Sequence, residues 1–571
     1  MHRFPLSFPI HLVRLTLALA LLFSLSCFAE AQNPGRVIGS QNTVTADPPV
    51  ARPHGTPCVV PLFSGFQFVD FSIQTYQFTP PASCPGPWEK IVFTADFNVT
   101  AGRQFDRTAI INLGNVNIYF GTTPEPRHNL SPSWHVERDE TDYAALFLSP
   151  QSGHVILGNV VNSTYTGVIS GSAQLEFYPA KGNDAGQGGQ RAADVVLPLV
   201  QSNGQGGTNE PAFLFTSADQ LATTFTLPLN IERAYLDVIT QSQIGDEFWY
   251  ACVPNDAASE LQSCGGTAFR EAEVSIDGQP AGVAPVYPWI YTGGVDPFLW
   301  EPIPGVQALD FVPYRVDLTP FAGVLSNGQP HSISLSVYNA NSYFSATATL
   351  LLFEDHNSQQ VTGAVTANTI SGAPTPSISE NLKTDASGNI TGTVRTASSR
   401  EFIVAGYVKT SHGTVHTEVH QSVGFKNRQN FTITAAQYVQ DISQDSEVDS
   451  ETFTRSGFGS FVTEEAFHYP LTMNIALNFA PDGSFDQVTT VSQGFRLNVH
   501  SPYFASIVDN LVNSTDTLNF NSSGAFSGNV GAKSSQRYNA FNTRGENYSC
   551  NLLSENNVLT SVSEGCADSA K

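Results

Sequence analysis

Charge is scarce in this chain. Asp, Glu, Lys and Arg make up 13% of its 571 residues, and basic side chains number 26 against 50 acidic ones. A formal net charge of −24 repels phosphates and anionic bilayers, so nucleic acid and membrane are not expected partners. The acid excess suits work at low pH, where carboxylates partly neutralise. Helical periodicity is also scarce. So are familiar catalytic signatures: no GxSxG, no HExxH, no phosphate-cradling glycine loop and no CxxC occur, and no Cys/His spacing suggests zinc. No segment after the N-terminal run approaches a transmembrane length.

The N-terminus has the form of an export signal. His2, Arg3 and Arg14 precede the apolar run Leu15–Leu25, and Ala29-Glu30-Ala31 offers a small-x-small cleavage site. The expectation is a soluble, monomeric protein released to the extracellular space or periplasm, starting near Gln32. Cleavage removes Cys27 and leaves Cys58, Cys84, Cys252, Cys264, Cys550 and Cys566. An even set in an exported chain implies disulfides, and closing the shortest loops pairs sequence neighbours. Sequons such as Asn98, Asn162 and Asn389 occur at about the chance rate and carry no argument.

What is present reads as strand. Hydrophobic residues reach 41%, with 39 Phe, 18 Tyr, 45 Gly and 35 Pro. Short runs rich in Val, Ile, Phe and Thr alternate apolar with polar, as in Lys90–Val99, Ala109–Phe120, Ala272–Ile276, Ser332–Val337 and Thr347–Phe353. Asp277-Gly278 and Asn327-Gly328 mark turns. The fold class expected is all-β: two jelly-roll-like antiparallel sandwiches at 51–180 and 211–356, plus a β-rich C-terminal region at 370–571. Residues 32–50 form an extension, and the Gly/Gln/Asn tracts of 181–210 read as linker.

Several clusters could carry chemistry. Gly102–Arg107 (GRQFDR) sets Asp106 beside Arg107 at a strand start; such a carboxylate can activate water, but spacing alone favours a pair that braces a turn. Gly245–Tyr250 (GDEFWY) puts Asp246 and Glu247 before Phe248, Trp249 and Tyr250. If extended, only one carboxylate can face a given pocket. Arg270 and Glu271 also fall on opposite faces. The stretch 288–304 (PWIYTGGVDPFLWEPIP) gathers Trp289, Tyr291, Phe298 and Trp300 around Gly293-Gly294 and Asp296, a composition typical of binding loops, though a loop folded over a domain interface would look the same. His135, Glu137 and Arg138 form a polar cluster.

GRQFDR, TTPEPR (122–127), WHVERDETDY (134–143), GDEFWY, FREAEVSIDG (269–278), YPWIYTGGVDPFLWEP (287–302) and YRVDLTPFAG (314–323) together resemble, in order, the peptide N-glycosidase A family. A weaker similarity reaches peptide N-glycosidase F, two jelly rolls with the active site at their interface. The resemblance implies hydrolysis of the glycan-bearing Asn side-chain amide without a cofactor, on N-glycosylated peptides and proteins. Phe105-Asp106-Arg107 is similar to the Trp-Asp-Arg element holding the catalytic Asp of that second enzyme. Its second-domain Glu precedes a Phe-Arg dipeptide; Phe269-Arg270 here lacks that Glu and is followed by Glu271. Glu247 and Glu271 therefore stand as alternatives for the acid. Asp106 is expected to orient or deprotonate water, and Arg107 or Arg270 to polarise the carbonyl. Asp246, Trp249, Asp296 and Trp300 are expected to contact substrate. A glycoside hydrolase or a lectin would use similar aromatic loops.

Overall fold

The computed structural model describes residues 35–180, 191–202, 208, 209 and 211–566. The segment expected as an export signal, its expected cleavage site and Cys27 lie outside them. Eight strands build the first sandwich: β1 (Cys58–Phe68), β2 (Gln74–Phe78), β3 (Trp88–Val99), β4 (Thr108–Leu113), β5 (Val116–Thr122), β6 (Ser133–Asp139), β7 (Gln151–Leu157) and β8 (Ile169–Pro179). One sheet runs β1-β8-β3-β6 and the other β2-β7-β4-β5, all antiparallel, so the chain repeatedly crosses between layers. The apolar run Ala109–Phe120 is thus two strands rather than one. Gly114 and Asn115 take φ of 55° and 65° at its middle, the left-handed pair that a tight hairpin requires.

The second sandwich pairs a five-stranded sheet, centred on Ile231–Gln243 and Tyr343–Glu354, with a four-stranded one containing Glu271–Ile276 and His331–Tyr338. Val195–Pro198, inside the span expected as linker, adds a strand to the first of these sheets. Buried Leu236, Val274, Leu335 and Leu350 knit the two layers.

Beyond it lies one eleven-stranded antiparallel sheet, in which nearly every strand pairs with its neighbour in sequence from Thr362 to Val562. Its central strands are long; Ile390–Thr410, Gly413–Ile433 and Gly459–Phe479 each have 21 residues. One face is laid on the second sandwich, with Phe425, Ile442, Leu471, Met473 and Val491 in the same core. The three disulfides join Cys58 to Cys84, Cys252 to Cys264 and Cys550 to Cys566, neighbour to neighbour as expected.

Candidate active site

The two sandwiches meet where β4 begins. Thr108 Oγ1 accepts hydrogen bonds from Gln241 and Gln243 of the second sandwich, at 3.0 and 3.1 Å. Thr292 Oγ1 donates back to the Thr123 carbonyl at 2.7 Å. These bonds fix the loop ending at Arg107 against the loop after Tyr291.

Asp106 lies in that seam. Its Oδ2 accepts the Gly293 N–H at 2.9 Å, and its own N–H donates to Glu125 Oε2 at 3.2 Å. A Cβ at Gly293 would collide with Glu125 Oε2 and stand 3.1 Å from the Asp106 carboxylate, so a larger residue there would displace both side chains. Burial raises the Asp106 pKa, with the Gly293 N–H and the Arg107 charge pulling against it. Glu247 enters from the second sandwich. Burial, then the Asp106 charge, raise it to about 7. Glu125 also rises to about 7, from burial and then Asp106. Three carboxylates so placed cannot all stay ionised near neutrality. The one cation among them, Arg107, has a buried Nε without a hydrogen-bond partner, and burial lowers its pKa. A cavity of about 720 Å³ opens beside them, with Phe105, Glu125, Arg127 and Phe298 in its lining.

The remaining expected residues take other places. Asp246 and Arg270 are sealed from solvent and bound to each other at 2.7 Å. Arg270 also donates to the carbonyls of Thr267 and Phe269, at 3.0 and 2.8 Å. Asp246 Oδ2 takes the N–H groups of Asn341 and Ser342, at 2.9 and 2.7 Å. This satisfied pair anchors the loop that presents Glu247, and Arg270 has no reach to a substrate carbonyl. Glu271 is equally buried, and its Oε1 accepts from Arg400 of the C-terminal sheet at 2.5 Å. Trp249 packs on Phe425 with ring centres 6.1 Å apart, inside the core. Trp300 gives its indole N–H to the Gly294 carbonyl at 2.9 Å. Asp296 caps the Phe298 N–H at 2.9 Å and lies against Asp516. These residues position the site loops rather than line the cleft. His135 joins Asp96 and Glu137, a separate network in the first sandwich. Glu125 is the residue that sequence reading passed over; it stood in the TTPEPR block, with nothing in its spacing to bring it beside Asp106.

Both second-sandwich loops carry backbone strain. Ile244 and Val295, β-branched, hold φ of 51° and 64°, which persists only where surroundings over-determine it. The C-terminal sheet supplies much of that constraint through amides on its buried face. Asn427, Gln440 and Gln429 donate to the carbonyls of Tyr250, Ala251 and Cys252, at 2.8, 3.0 and 2.9 Å. Gln493 and Gln487 donate to Pro288 and Val295, at 2.7 and 3.2 Å.

Residues 63–371 match the family described as peptide N-acetyl-beta-D-glucosaminyl asparaginase amidase A. The chain belongs to that family. The match includes Asp106, Arg107, Glu125, Glu247 and Gly293, and it ends before the long strands of the C-terminal sheet. Among relatives, the peptide-N4-(N-acetyl-beta-glucosaminyl)asparagine amidase A of Prunus dulcis is 33% identical over 364 residues, covering 61% of this chain and 62% of that one. The chain thus spans less than two thirds of that amidase's length. Two solved structures overlap 52% of the chain: PNGF-II, at 15% identity and TM-score 0.38 over 65% of its own length, and PNGase F of Flavobacterium meningosepticum, at 14%, 0.35 and 96%.

Proposed function

We propose that the protein is a secreted amidase that cleaves the bond between an N-linked glycan and its asparagine. The observation that carries this reading is the seam itself, where Asp106 of one sandwich is bonded to the Gly293 backbone and to Glu125 and interacts with the charge of Glu247 from the other, beside an open cavity. Amide hydrolysis needs a base for water, a donor for the carbonyl oxygen and a proton for the departing nitrogen. Asp106, oriented by the Gly293 N–H, takes a proton from water as the water oxygen bonds to the side-chain carbonyl carbon. Arg107 carries the unpartnered buried N–H suited to the oxyanion. Glu247 keeps its proton up to about pH 7 and passes it to the nitrogen as the C–N bond breaks. The glycan leaves as a glycosylamine, and aspartate remains in the peptide.

Mass spectrometry of a glycopeptide treated in heavy-oxygen water tests it. Asparagine converted to aspartate carrying one heavy oxygen is the expected result. Shortened sugar on intact asparagine would assign a glycosidase instead, and an unchanged glycopeptide would leave a lectin.

A further inference from the structure

The cleft continues past the sandwiches onto the C-terminal sheet. Its wall includes Phe298 of the second sandwich and Phe526 of that sheet, stacked with ring centres 5.6 Å apart and planes 19° apart. From Phe526 the rings go on. Phe520 meets it edge-on at 6.1 Å, Phe485 stacks on Phe520 at 4.4 Å and 10°, and Phe479 lies 5.8 Å from Phe485. Register explains the row: Phe479 faces Phe485, Phe485 faces Phe520 and Phe520 faces Phe526 across four neighbouring strands. The same face of these strands is buried on the second sandwich further along, at Met473, Val491 and Val512. At the phenylalanines it emerges to solvent instead, with Phe526 51% and Phe479 39% exposed.

Cross-strand aromatic pairs do stabilise a sheet. A row of four that ends in solvent and begins in the wall of a cleft offers a further use, because a continuous apolar strip leading out of a cleft is suited to binding. With strands about 4.8 Å apart, the row spans roughly 14 Å, enough for several sugar rings to lie along it. Flat uncharged faces suit the C–H faces of a neutral oligosaccharide. The chain's net charge of −24 disfavours an acidic occupant. We propose that Phe526, Phe520, Phe485 and Phe479 form a track for the outer sugars of the glycan whose inner end lies at Asp106. This proposal rests on the amidase reading for its orientation and adds a subsite supplied by the C-terminal sheet.

The test uses one peptide bearing either a full neutral glycan or one trimmed to its innermost sugars. In Phe526→Ser and Phe479→Ser, the ratio of kcat/KM for the long substrate over the short one should fall about tenfold, through KM. Phe479→Trp, which keeps a ring, should retain the ratio. Released oligosaccharide alone, titrated by NMR, should bind the wild type and bind Phe479→Ser more weakly. An unchanged ratio in variants that melt like the wild type would overturn the track. Equal losses on both substrates would do the same and assign the row to the peptide or to sheet stability. Should the wild type cleave neither substrate yet bind released oligosaccharide through the row, the amidase reading fails and the track stands.

Discussion

Asp106 is held between a penalty and two attractions. Burial resists its ionisation, while the Gly293 N–H and Arg107 favour it, and the net upward shift suits the proposed role of base. Asp106→Asn keeps the shape and removes that basicity; turnover should fall about 10² to 10⁴-fold with glycopeptide binding and melting temperature near wild type. Near-normal turnover in the folded variant would remove Asp106 from the mechanism. In the proposed reaction Glu247 acts in the opposite protonation state. Its pKa of about 7 means that activity should decline as pH rises through 7, and Glu247→Gln should abolish that limb along with most of the rate. A pH–rate profile that keeps the limb in Glu247→Gln would assign it to Glu125 instead. Asp106 was legible in the sequence because GRQFDR is a compact motif. Arg270 and Glu271 were legible as a charged pair on opposite strand faces, but not in their partners. Asp246 comes from 24 residues earlier and Arg400 from 129 later, and no local pattern encodes either meeting.

At the scale of elements, the site depends on loops that the C-terminal sheet holds by their carbonyls. Gln429 and Gln440 are the clearest case, being buried, bonded to each other at 2.8 Å and joined to Cys252 and Ala251 just past Glu247. Gln429→Ala combined with Gln440→Ala takes the amide donor from the buried Cys252 carbonyl, at roughly 1–3 kcal/mol, and leaves the Ala251 carbonyl to Ser263 Oγ alone. The double variant should melt several degrees lower. Below that melting point it should also lose kcat about tenfold, because Glu247 drifts from the reacting nitrogen. Stopped at destabilisation alone, with kcat intact, the amides would be structural only. These same residues explain why strands were foreseen but their length was not. Along Gly413–Ile433 the buried face reads Thr417, Val419, Gln421, Val423, Phe425, Asn427, Gln429, Phe431 and Ile433. Four of those nine are polar, so the alternation of hydrophobicity breaks although the alternation of burial does not.

For the molecule as a whole, many buried carboxyls titrate high. Glu125, Glu247, Glu271 and Asp296 are raised to about 7 and Asp47 to about 6, in each case chiefly by burial. The folded state therefore binds more protons than the unfolded chain between about pH 4.5 and 7, and stability falls as pH rises through that window. His135, raised to about 9 by Asp96 and Glu137 against the cost of burial, loses its contribution in the same direction. Glu137 opposes, since its pKa of about 2 costs stability only in strong acid. The melting temperature should be highest near pH 5 and drop by about 5 °C or more by pH 8; a flat or rising profile would contradict the burial of these groups. The acid excess alone hinted at this lean, and the particular carboxyls needed the fold. The ends of the described chain bring a different consequence. Gly39 donates to the Leu559 carbonyl at 2.8 Å and Leu559 to the Ser40 carbonyl at 3.2 Å, while Arg36 Nη1 reaches the Cys566 carbonyl at 3.0 Å and Ala46 binds Gln536 at 2.6 Å. The segment at 36–46 thus caps the outermost strand of the long sheet and closes an otherwise open edge. During synthesis Asn42, Thr43 and Val44 can find Ser133 and Pro302 early, but the seat of residues 36–40 on Leu559 and Cys566 does not exist until residue 566 has left the ribosome, so this stretch is fastened in two stages.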